Sequence, residues 1–490
     1  TTTTTTTALM TETVLVKGGV SAAEAATAVS KPGWGAKGPV ATLVNELIDA
    51  LRPTEQSERR RRAVFTHVAA LVNGCFPEVL VTAFGSVPLR TYLPDGDIDV
   101  CLLGPHELLS KDSWTVRLRA HIERAEAASA AAALENNTEP NEFAVSEIHI
   151  IHAEVKLMKC IADGMVVDIS ANQFGGLATL GFLEEVDAFI GRGGIFKRSI
   201  ILIKAWGFYE GRLLGAHHAL ISTYALETLV LYILNVFHKE LSTPLEVLHK
   251  FLTFFAEFEW DKNAVSIHGA VPLDRLDSVQ AAGPGPAPAD HTPAHAHDRE
   301  GLLLTPEFLW RVLDKYGNDA IMRHGVGVGP GISLAQMQQQ RRPMVPKYLN
   351  VVDPLLPSNN LGRSVSQGNA KRIRKALSLG AARLSALRES EGGDSMTAVR
   401  VLEQFFGNTI RHRRMVPLPH APSTPGGRNH ADEVSMTPAS ARGGGMGMRS
   451  GAVSALASPS SSSYTPSTTR NKSGVGAGGM KSGLKSGMKS

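Results

Sequence analysis

Two aspartates separated by one apolar residue, in the run Asp97-Ile98-Asp99-Val100, constrain the fold of this chain more than any other feature. A β-strand sends successive side chains to opposite faces. The alternation therefore places Asp97 and Asp99 together on one face and turns Ile98 and Val100 into the core. Two carboxylates on one face repel each other unless a cation neutralises them. The run predicts a core strand with a cation-binding acidic face.

A glycine and a serine end the apolar strand before this pair. The segment Phe84-Gly85-Ser86 is separated from Asp97 by ten residues. Glycine lets the backbone approach a phosphate closely, and a serine hydroxyl can donate a hydrogen bond to that phosphate. We interpret the segment as a phosphate-binding turn. Asp95 follows a proline at the edge of the intervening loop, and we leave it out of the site.

A third carboxylate lies on a later apolar run, Met165 to Ser170, and we choose Asp168 as the third ligand. Asp163 competes for this role, but Ala162-Asp163-Gly164 is typical of a hairpin turn. Three carboxylates suit two divalent ions, Mg²⁺ or Mn²⁺, which can also hold nucleotide phosphates. The alternative is that all three are structural, in salt bridges or turns. We favour the metal because the sequence indicates no basic partner for them.

The middle of the chain divides into two parts by its hydrophobic pattern. Residues 39–190 contain short β-branched runs and amphipathic helices, which predict an α+β catalytic domain. The helix expected within 39–60 can instead pack on the following domain. Residues 191–410 have a helical pattern and carry a Pro/Ala/His-rich insertion at 275–300. The charged run Glu58 to Arg62 predicts a solvated helix face.

Both ends of the chain have the composition of disordered segments. Residues 1–38 are rich in Thr, Ala and Gly, and residues 411–490 are rich in Ser and Gly. The tail carries eleven Lys or Arg against Asp432 and Glu433, a charge of +9 in a chain whose formal charge is +4. This basic tail either holds RNA or another polyanion electrostatically or keeps the protein soluble.

Cysteine usage and hydropathy indicate a soluble intracellular protein. Cys75, Cys101 and Cys160 match neither a disulfide framework nor a zinc module. No run approaches the roughly 18 apolar residues that span a bilayer, so no membrane partner is expected. We expect the cytoplasm or nucleus. The chain begins with seven threonines and no methionine, so we expect a truncated N-terminus, and import into an organelle stays open.

Five ordered segments carry a resemblance to a known family. They are FGSVPLRTYLPDGDIDV, VVDISANQFGG, IILIKAWGFYEGRLLG, ISTYALETLVLYIL and VVDPLLPSNNLGRSVS. Over about residues 39–387 the chain resembles template-independent poly(A) polymerases and terminal uridylyltransferases, above all their plant and algal group. The resemblance implies a polymerase-beta-like domain with a mixed sheet of about five strands. It also implies an α-helical central domain like that of poly(A) polymerase and oligoadenylate synthetase.

The resemblance assigns functional residues motif by motif. It implies that Asp97, Asp99 and Asp168 are the metal ligands and that Gly85 and Ser86 contact the triphosphate. The other nucleotide contacts that it implies are Lys204 and Ser222 on phosphates, Tyr224 on the base, Asn172 on the sugar, and Asp353, Asn359, Asn360 and Arg363 in a base-recognition loop. The residues alone are equally consistent with simpler roles. Lys204 is then an ordinary surface lysine, Tyr224 a core aromatic residue, and the polar loop residues form turns.

The implied activity is addition of AMP or UMP from ATP or UTP to an RNA 3′ end, with release of pyrophosphate. RNA and the NTP are then the partners, and an RNA-binding protein is a further possible partner because no separate RNA-binding module is evident. Gly176-Leu177-Ala178-Thr179 stands where many members have Asn-Thr or Asn-Ser, which leaves ribose discrimination open. Two alternatives are an inactive RNA-binding scaffold with this fold and a nucleotidyltransferase with a non-RNA acceptor.

Overall fold

The computed structural model describes residues 37–109, 113–139, 141–152, 156–267, 269–276, 301–317, 344–390 and 395–415. Nearly all of the predicted disordered N-terminal segment, most of the predicted insertion and the tail beyond residue 415 lie outside these ranges. The predictions for those parts stay predictions. The described residues belong to a single packed unit, so the predicted limits of the two inner domains stay predictions as well.

A five-stranded mixed sheet forms the first half of the fold. Its strands are β1 (Leu80–Phe84), β2 (Ile98–Leu103), β3 (Val145–Ile151), β4 (Leu157–Ala162) and β5 (Met165–Ala171). They lie in the order β1-β2-β5-β4-β3, with β2 and β5 parallel and the other neighbours antiparallel. The predicted α+β class and the mixed sheet of about five strands are confirmed.

Helices surround the sheet and form the second half. The described helices are α1 (Pro39–Leu51), α2 (Glu55–Cys75), α3 (Ser86–Leu89), α4 (His106–Leu109), α5 (Ser113–Asn136), α6 (Phe174–Ile190), α7 (Ile195–Ala205), α8 (Thr223–Phe237), α9 (Pro244–Glu257), α10 (Pro306–Tyr316), α11 (Gln367–Ser390), α12 (Ser395–Phe405) and α13 (Gly407–Met415). A short hairpin, β6 (Asn263–Ser266) and β7 (Gly269–Pro272), follows α9. None of these helices is long and apolar enough to cross a bilayer.

The sheet buries one face against α2 and α5. Ile98 and Val100 on β2 are fully buried in that core, as the alternation predicts. Burial of an aliphatic side chain of this size contributes about 1.5–3 kcal/mol. The apolar residues that alternate with the two aspartates therefore anchor β2 and fix the direction in which its carboxylates point.

The helical half has its own core, built mainly from α7, α8, α9 and α11. Helices α1 and α6 flank the sheet segment in sequence, yet both bury their apolar faces in this helical core, with Leu47, Ile48 and Phe182 almost fully buried. These two helices therefore hold the helical half against the sheet. The helix within 39–60 packs on the helical half, one of the two possibilities that its sequence allowed.

The irregular segment 344–366 reaches the same region from the far end of the chain. Val265 on β6 forms an isolated bridge with Val351. The backbone N–H of Val265 donates to the Asn350 carbonyl at 2.9 Å, and the N–H of Val352 donates to the Val265 carbonyl at 2.8 Å. These bonds fix the position of Asp353, the next residue.

Candidate active site

The three predicted metal ligands lie on the parallel strand pair. Asp99 on β2 is the register partner of Asp168 on β5, and Asp97 directly precedes β2. Each carboxylate offers one oxygen, and these three oxygens lie within 4.8 Å of one another. Register partners on neighbouring strands point to the same face of a sheet. The strand pairing therefore brings together carboxylates that are separated by about 70 residues in the sequence.

Burial and mutual repulsion both disfavour the ionised carboxylates. Burial, together with the nearby Asp97 and Asp168, raises the pKa of Asp99 to about 7, although Lys204 and Lys159 act in the opposite direction. Burial also raises the pKa of Asp168. A divalent cation among these oxygens would favour their ionised forms, and Mg²⁺ prefers hard carboxylate oxygens. The three residues therefore fit a magnesium site.

Asp168 has a basic partner that the sequence argument missed. Lys159 is its register partner on β4, and Lys159 Nζ lies 2.7 Å from Oδ1 and 2.9 Å from Oδ2 of Asp168. The expectation that the carboxylates lack a basic partner is therefore wrong for Asp168. The lysine compensates one of three negative charges and leaves Asp97 and Asp99 without a comparable ion pair among the described residues. A bound cation would neutralise the negative charge that remains on Asp97 and Asp99.

Gly85 directly follows β1 and lies against the carboxylate of Asp99. Its φ of 71° is a left-handed conformation that glycine adopts without strain. A Cβ at this position would collide with Oδ2 of Asp99. Ser86 begins α3 and is 8% exposed. A residue without a side chain is therefore required where the strand meets the acidic face.

A cleft of about 520 Å³ opens beside the carboxylates, within the size range of small-molecule sites. Its walls come from the sheet, from α6 to α8 and from the segment 353–359. The predicted site residues that line it are Gly85, Ser86, Asp97, Asp99, Lys204, Tyr224, Asp353 and Asn359. Asp168 is not part of this lining, so the third carboxylate lies at the edge of the cleft.

A buried acid accompanies the cleft lysine. Lys204, in the last turn of α7, donates a hydrogen bond to the carbonyl of Thr91 at 3.4 Å. Glu227 on α8 is 4% exposed and also lines the cleft. Burial raises the pKa of Glu227 to about 7, while the Lys204 charge and the Thr91 hydroxyl act against that rise. The sequence argument missed Glu227; its position three residues after Tyr224, on the same side of a helix, was the available signal.

Tyr224 and Asn359 both hold the carboxylate of Asp353. The Tyr224 hydroxyl donates to Oδ1 of Asp353 at 3.0 Å, and the Asn359 amide donates to Oδ2 at 2.9 Å. The backbone N–H of Leu355 donates to Oδ1 at 2.9 Å. Asp353 is only 7% exposed. This network attaches the predicted base-recognition loop to the first turn of α8.

Two predicted nucleotide contacts instead support the backbone near the site. Ser222 caps α8, where its hydroxyl accepts from the backbone N–H of Ala225 at 3.2 Å. Asn172 bonds through both ends of its amide to the backbone of Gly104 at 3.2 Å. Neither residue lines the cleft. Their predicted contacts with phosphate and sugar stay predictions.

Asn360 and Arg363, in the predicted base-recognition loop, also lie off the cleft. Asn360 is 3% exposed, and its Oδ1 accepts from the backbone N–H groups of Val351 at 3.1 Å and Gly362 at 2.9 Å. Arg363 is exposed and donates to Oδ1 of Asn359 at 2.6 Å. Asn360 therefore shapes the loop from inside, while Arg363 contacts it from the solvent side.

The two aspartates left out of the predicted site have other partners. Asp95 accepts a hydrogen bond from the Tyr209 hydroxyl at 2.7 Å. Asp163 occupies the turn between β4 and β5, with a φ of 51°, and forms an ion pair with Arg60. Neither belongs to the carboxylate group of Asp97, Asp99 and Asp168.

A mixed sheet with three clustered carboxylates, facing a cleft closed by helices, defines a nucleotidyltransferase-type fold and site. Two family models match adjacent parts of the chain. The central palm domain of mitochondrial-like poly(A) RNA polymerase matches residues 40–183, and the PAP/OAS1 substrate-binding domain matches residues 190–410. Together the two matches cover residues 40–183 and 190–410, and they show a nucleotidyltransferase of the poly(A) polymerase type. The family resemblance is confirmed, and the plant and algal grouping stays a prediction.

One curated relative and two solved structures illustrate the similarity. The poly(A) RNA polymerase cid14 of Schizosaccharomyces pombe is 25% identical over 232 residues, covering 45% of this chain and 31% of the relative. The chain thus spans less than a third of that relative's length. The structure of the Cid1 poly(U) polymerase is 15% identical, with a TM-score of 0.47, over 71% of this chain and 94% of that one. A cytoplasmic RNA terminal U-transferase is 15% identical, with a TM-score of 0.46, over 70% and 92%.

Proposed function

We propose that this protein adds nucleotides, AMP or UMP, to an RNA 3′ end without a template, by two-metal catalysis with release of pyrophosphate. The observation that carries the proposal is the group of Asp97, Asp99 and Asp168, whose oxygens lie within 4.8 Å of one another. Asp97 and Asp99 face a cleft of about 520 Å³. The curated relative is named a poly(A) RNA polymerase, which supports RNA as the acceptor.

The cleft residues divide into phosphate and base contacts by their chemistry. Gly85 and Ser86 offer a close backbone approach and a hydroxyl, and Lys204 offers a positive charge, so these three bind the triphosphate. Tyr224 offers an aromatic ring on which any base can stack. Asp353, held by Tyr224 and Asn359, presents a fixed polar edge to the base.

The acidic side of the cleft holds the metal. Asp97 and Asp99 line the cleft together with the phosphate contacts, and their oxygens lie within 4.8 Å of one oxygen of Asp168, so these carboxylates would hold the metal. Asp168 does not line the cleft, and we assign it to the metal that would contact the RNA 3′-hydroxyl. When held by these carboxylates, Mg²⁺ or Mn²⁺ would lower the pKa of the attacking 3′-hydroxyl and stabilise the charge on the leaving pyrophosphate.

The proposal is tested by incubating the full chain with a labelled short RNA, Mg²⁺ or Mn²⁺, and each of the four NTPs separately. We expect extension with ATP or UTP and none with the double variant Asp97→Ala plus Asp99→Ala. The matched control removes two exposed acids, Asp49→Ala plus Glu55→Ala, whose surface ion pairs contribute little. The preferred nucleotide is read directly from the assay.

Other results distinguish the alternatives. Transfer of labelled nucleotide to a small molecule or to another acceptor, with RNA unmodified, would contradict the RNA 3′ end as acceptor but keep the chemistry. RNA binding without transfer to any acceptor, under all metal and NTP conditions, would support the inactive scaffold. Extension that persists in the double carboxylate variant would contradict the assignment of the metal ligands.

A further inference from the structure

Two neighbouring arginines on α2 contact the two turns that lead into the carboxylate strands. The run Glu58 to Arg62 was predicted to be a solvated helix face. This is wrong for Arg61, which is 3% exposed, whereas Arg60 is partly exposed and forms an ion pair with Asp163. Helix α2 packs under the sheet and presents these side chains to the ends of the strands.

Arg61 holds the loop immediately before Asp97. Its NH1 donates to the carbonyl of Gly96 at 2.7 Å, and its NH2 donates to the carbonyl of Pro94 at 3.1 Å. The guanidinium lies over the ring of Tyr92, 4.2 Å from its centroid, and Tyr92 is 1% exposed. One side chain therefore holds the backbone at two points and packs on the Tyr92 ring, all within the five residues that precede Asp97.

Arg60 holds the turn that leads into the strand of Asp168. Its guanidinium forms the ion pair with the Asp163 carboxylate and also donates to the Asp163 carbonyl at 3.5 Å. Asp163 and Gly164 form the two-residue turn between β4 and β5, and Asp168 follows on β5. Adjacent residues of one helix thus hold the approaches to both carboxylate strands.

We propose that Arg60 and Arg61 form a positioning clamp that sets the spacing of Asp97, Asp99 and Asp168 for metal binding. This inference rests on the proposed function, because it concerns the same metal site. Burial of a guanidinium is costly unless its donors are used, and an apolar side chain would fill that space at lower cost. Both hydrogen-bonding nitrogens of Arg61 donate to loop carbonyls. We therefore infer that the buried arginine serves to fix the geometry of this loop.

The physical basis is the demand that Mg²⁺ places on its ligands. The ion requires near-ideal octahedral geometry, so small displacements of the carboxylates weaken binding. Loss of a group that orients a metal ligand typically lowers metal affinity about 10- to 100-fold. Arg61 contacts the backbone that carries Asp97 rather than its carboxylate, so it is a positioning residue.

The test measures the affinity of the full chain for Mn²⁺, from the electron paramagnetic resonance signal of free Mn²⁺, with a non-hydrolysable ATP analogue present. We expect Arg61→Lys to raise the Kd for Mn²⁺ about tenfold or more, because lysine cannot bond both carbonyls in the same plane. The matched control is Arg62→Lys, the same change at the next, exposed position. Circular dichroism spectra check that each variant is folded.

A second variant keeps the test decisive if Arg61→Lys does not fold. The Arg60 side chain is 39% exposed, so Arg60→Lys should fold, and we expect it to raise the Kd for Mn²⁺ several-fold. Unchanged Mn²⁺ affinity in the folded variants, beside normal binding by the wild type, would overturn the clamp and leave the proposed function standing. Absence of Mn²⁺ binding by the wild type would overturn the proposed metal site and the clamp together.

Discussion

Gly85 is the position in the site where one added methyl group has the clearest consequence. The residue combines a φ of 71° with a Cβ direction that points at the carboxylate of Asp99. Gly175 also lines the cleft, yet a Cβ there would meet no atom within 4 Å. Substitution of Gly85 therefore tests a steric requirement of the metal site, and substitution of Gly175 tests whether the cleft needs a small residue in general.

We expect Gly85→Ala to lower the rate of RNA extension about a hundredfold, because a shift of about 1 Å in a catalytic group can have that effect. The measurement is kcat at saturating RNA and NTP. Gly175→Ala is the control and should keep nearly full activity. Wild-type kcat in Gly85→Ala would show that Asp99 need not stay where the structure places it.

Asn360 and Asn359 are neighbours whose substitution should differ in its effect on NTP binding. Loss of the buried Asn360 amide leaves the N–H groups of Val351 and Gly362 without their acceptor. We expect Asn360→Ala to lower the free energy of unfolding by about 1–3 kcal/mol. Asn359→Ala also removes a donor from the buried carboxylate of Asp353, so it should lower stability too, and it should in addition raise KM for the NTP, because Asn359 lines the cleft.

Denaturant unfolding and NTP saturation curves check this pair of predictions. A stable Asn360→Ala protein with a raised KM would mean that Asn360 contacts the nucleotide, as the family resemblance implies. In that case Asn360 would have to leave its buried position when the NTP binds.

At the scale of secondary-structure elements, local periodicity predicted the strands that carry the site. The alternation around Asp97 and Asp99 fixes which side chains of β2 enter the core, and an apolar strand with one polar position identifies Asp168. The partnership of Lys159 with Asp168 depends on strand register, and the burial of Arg61 depends on where α2 packs. Both are long-range relations, so sequence spacing gave no direct sign of them.

The pairing of α9 with α11 should make stability depend on pH. His249 is partly buried on α9, with its Nε2 3.0 Å from the Ser385 hydroxyl on α11. Burial, with Arg388 and Lys250 nearby, lowers its pKa from the ordinary 6.5 to about 4. Between these values the unfolded chain binds a proton that the folded chain does not, so folding is disfavoured as the pH falls from about 6.5 towards 4.

Because of His249, we therefore expect the free energy of unfolding to decrease by up to about 3 kcal/mol as the pH falls over that range. His249→Gln cannot take up the proton, so its stability should fall less steeply with acid. Urea unfolding at several pH values measures the difference, with exposed His152→Gln as the control. Parallel pH profiles for the wild type and His249→Gln would contradict the burial of a neutral histidine between these helices.

At the scale of the whole molecule, the proposed nucleotide cleft has walls from both halves of the fold. Gly85 and Asp99 come from the sheet, whereas Lys204, Tyr224 and Asp353 come from the helical half. The sequence motifs identified these residues through family resemblance. The packing of α1 and α6 in the helical core, which holds the two halves together, became visible only in three dimensions.

The basic tail gives a further prediction at this scale. Truncation after Met415 removes eight Lys or Arg together with Asp432 and Glu433. If the tail holds RNA electrostatically, its loss should raise KM for RNA, leave KM for the NTP unchanged and weaken the dependence of RNA affinity on salt. Equal RNA affinity and salt dependence in the full and truncated chains would assign the tail a role in solubility alone.

The most direct test of the account is the location of Mn²⁺ by anomalous scattering in crystals grown with a non-hydrolysable NTP. We expect Mn²⁺ bound by Asp97 and Asp99, with the triphosphate against Gly85, Ser86 and Lys204. Nucleotide in this cleft without Mn²⁺ at the carboxylates, or Mn²⁺ and nucleotide bound elsewhere, would contradict it.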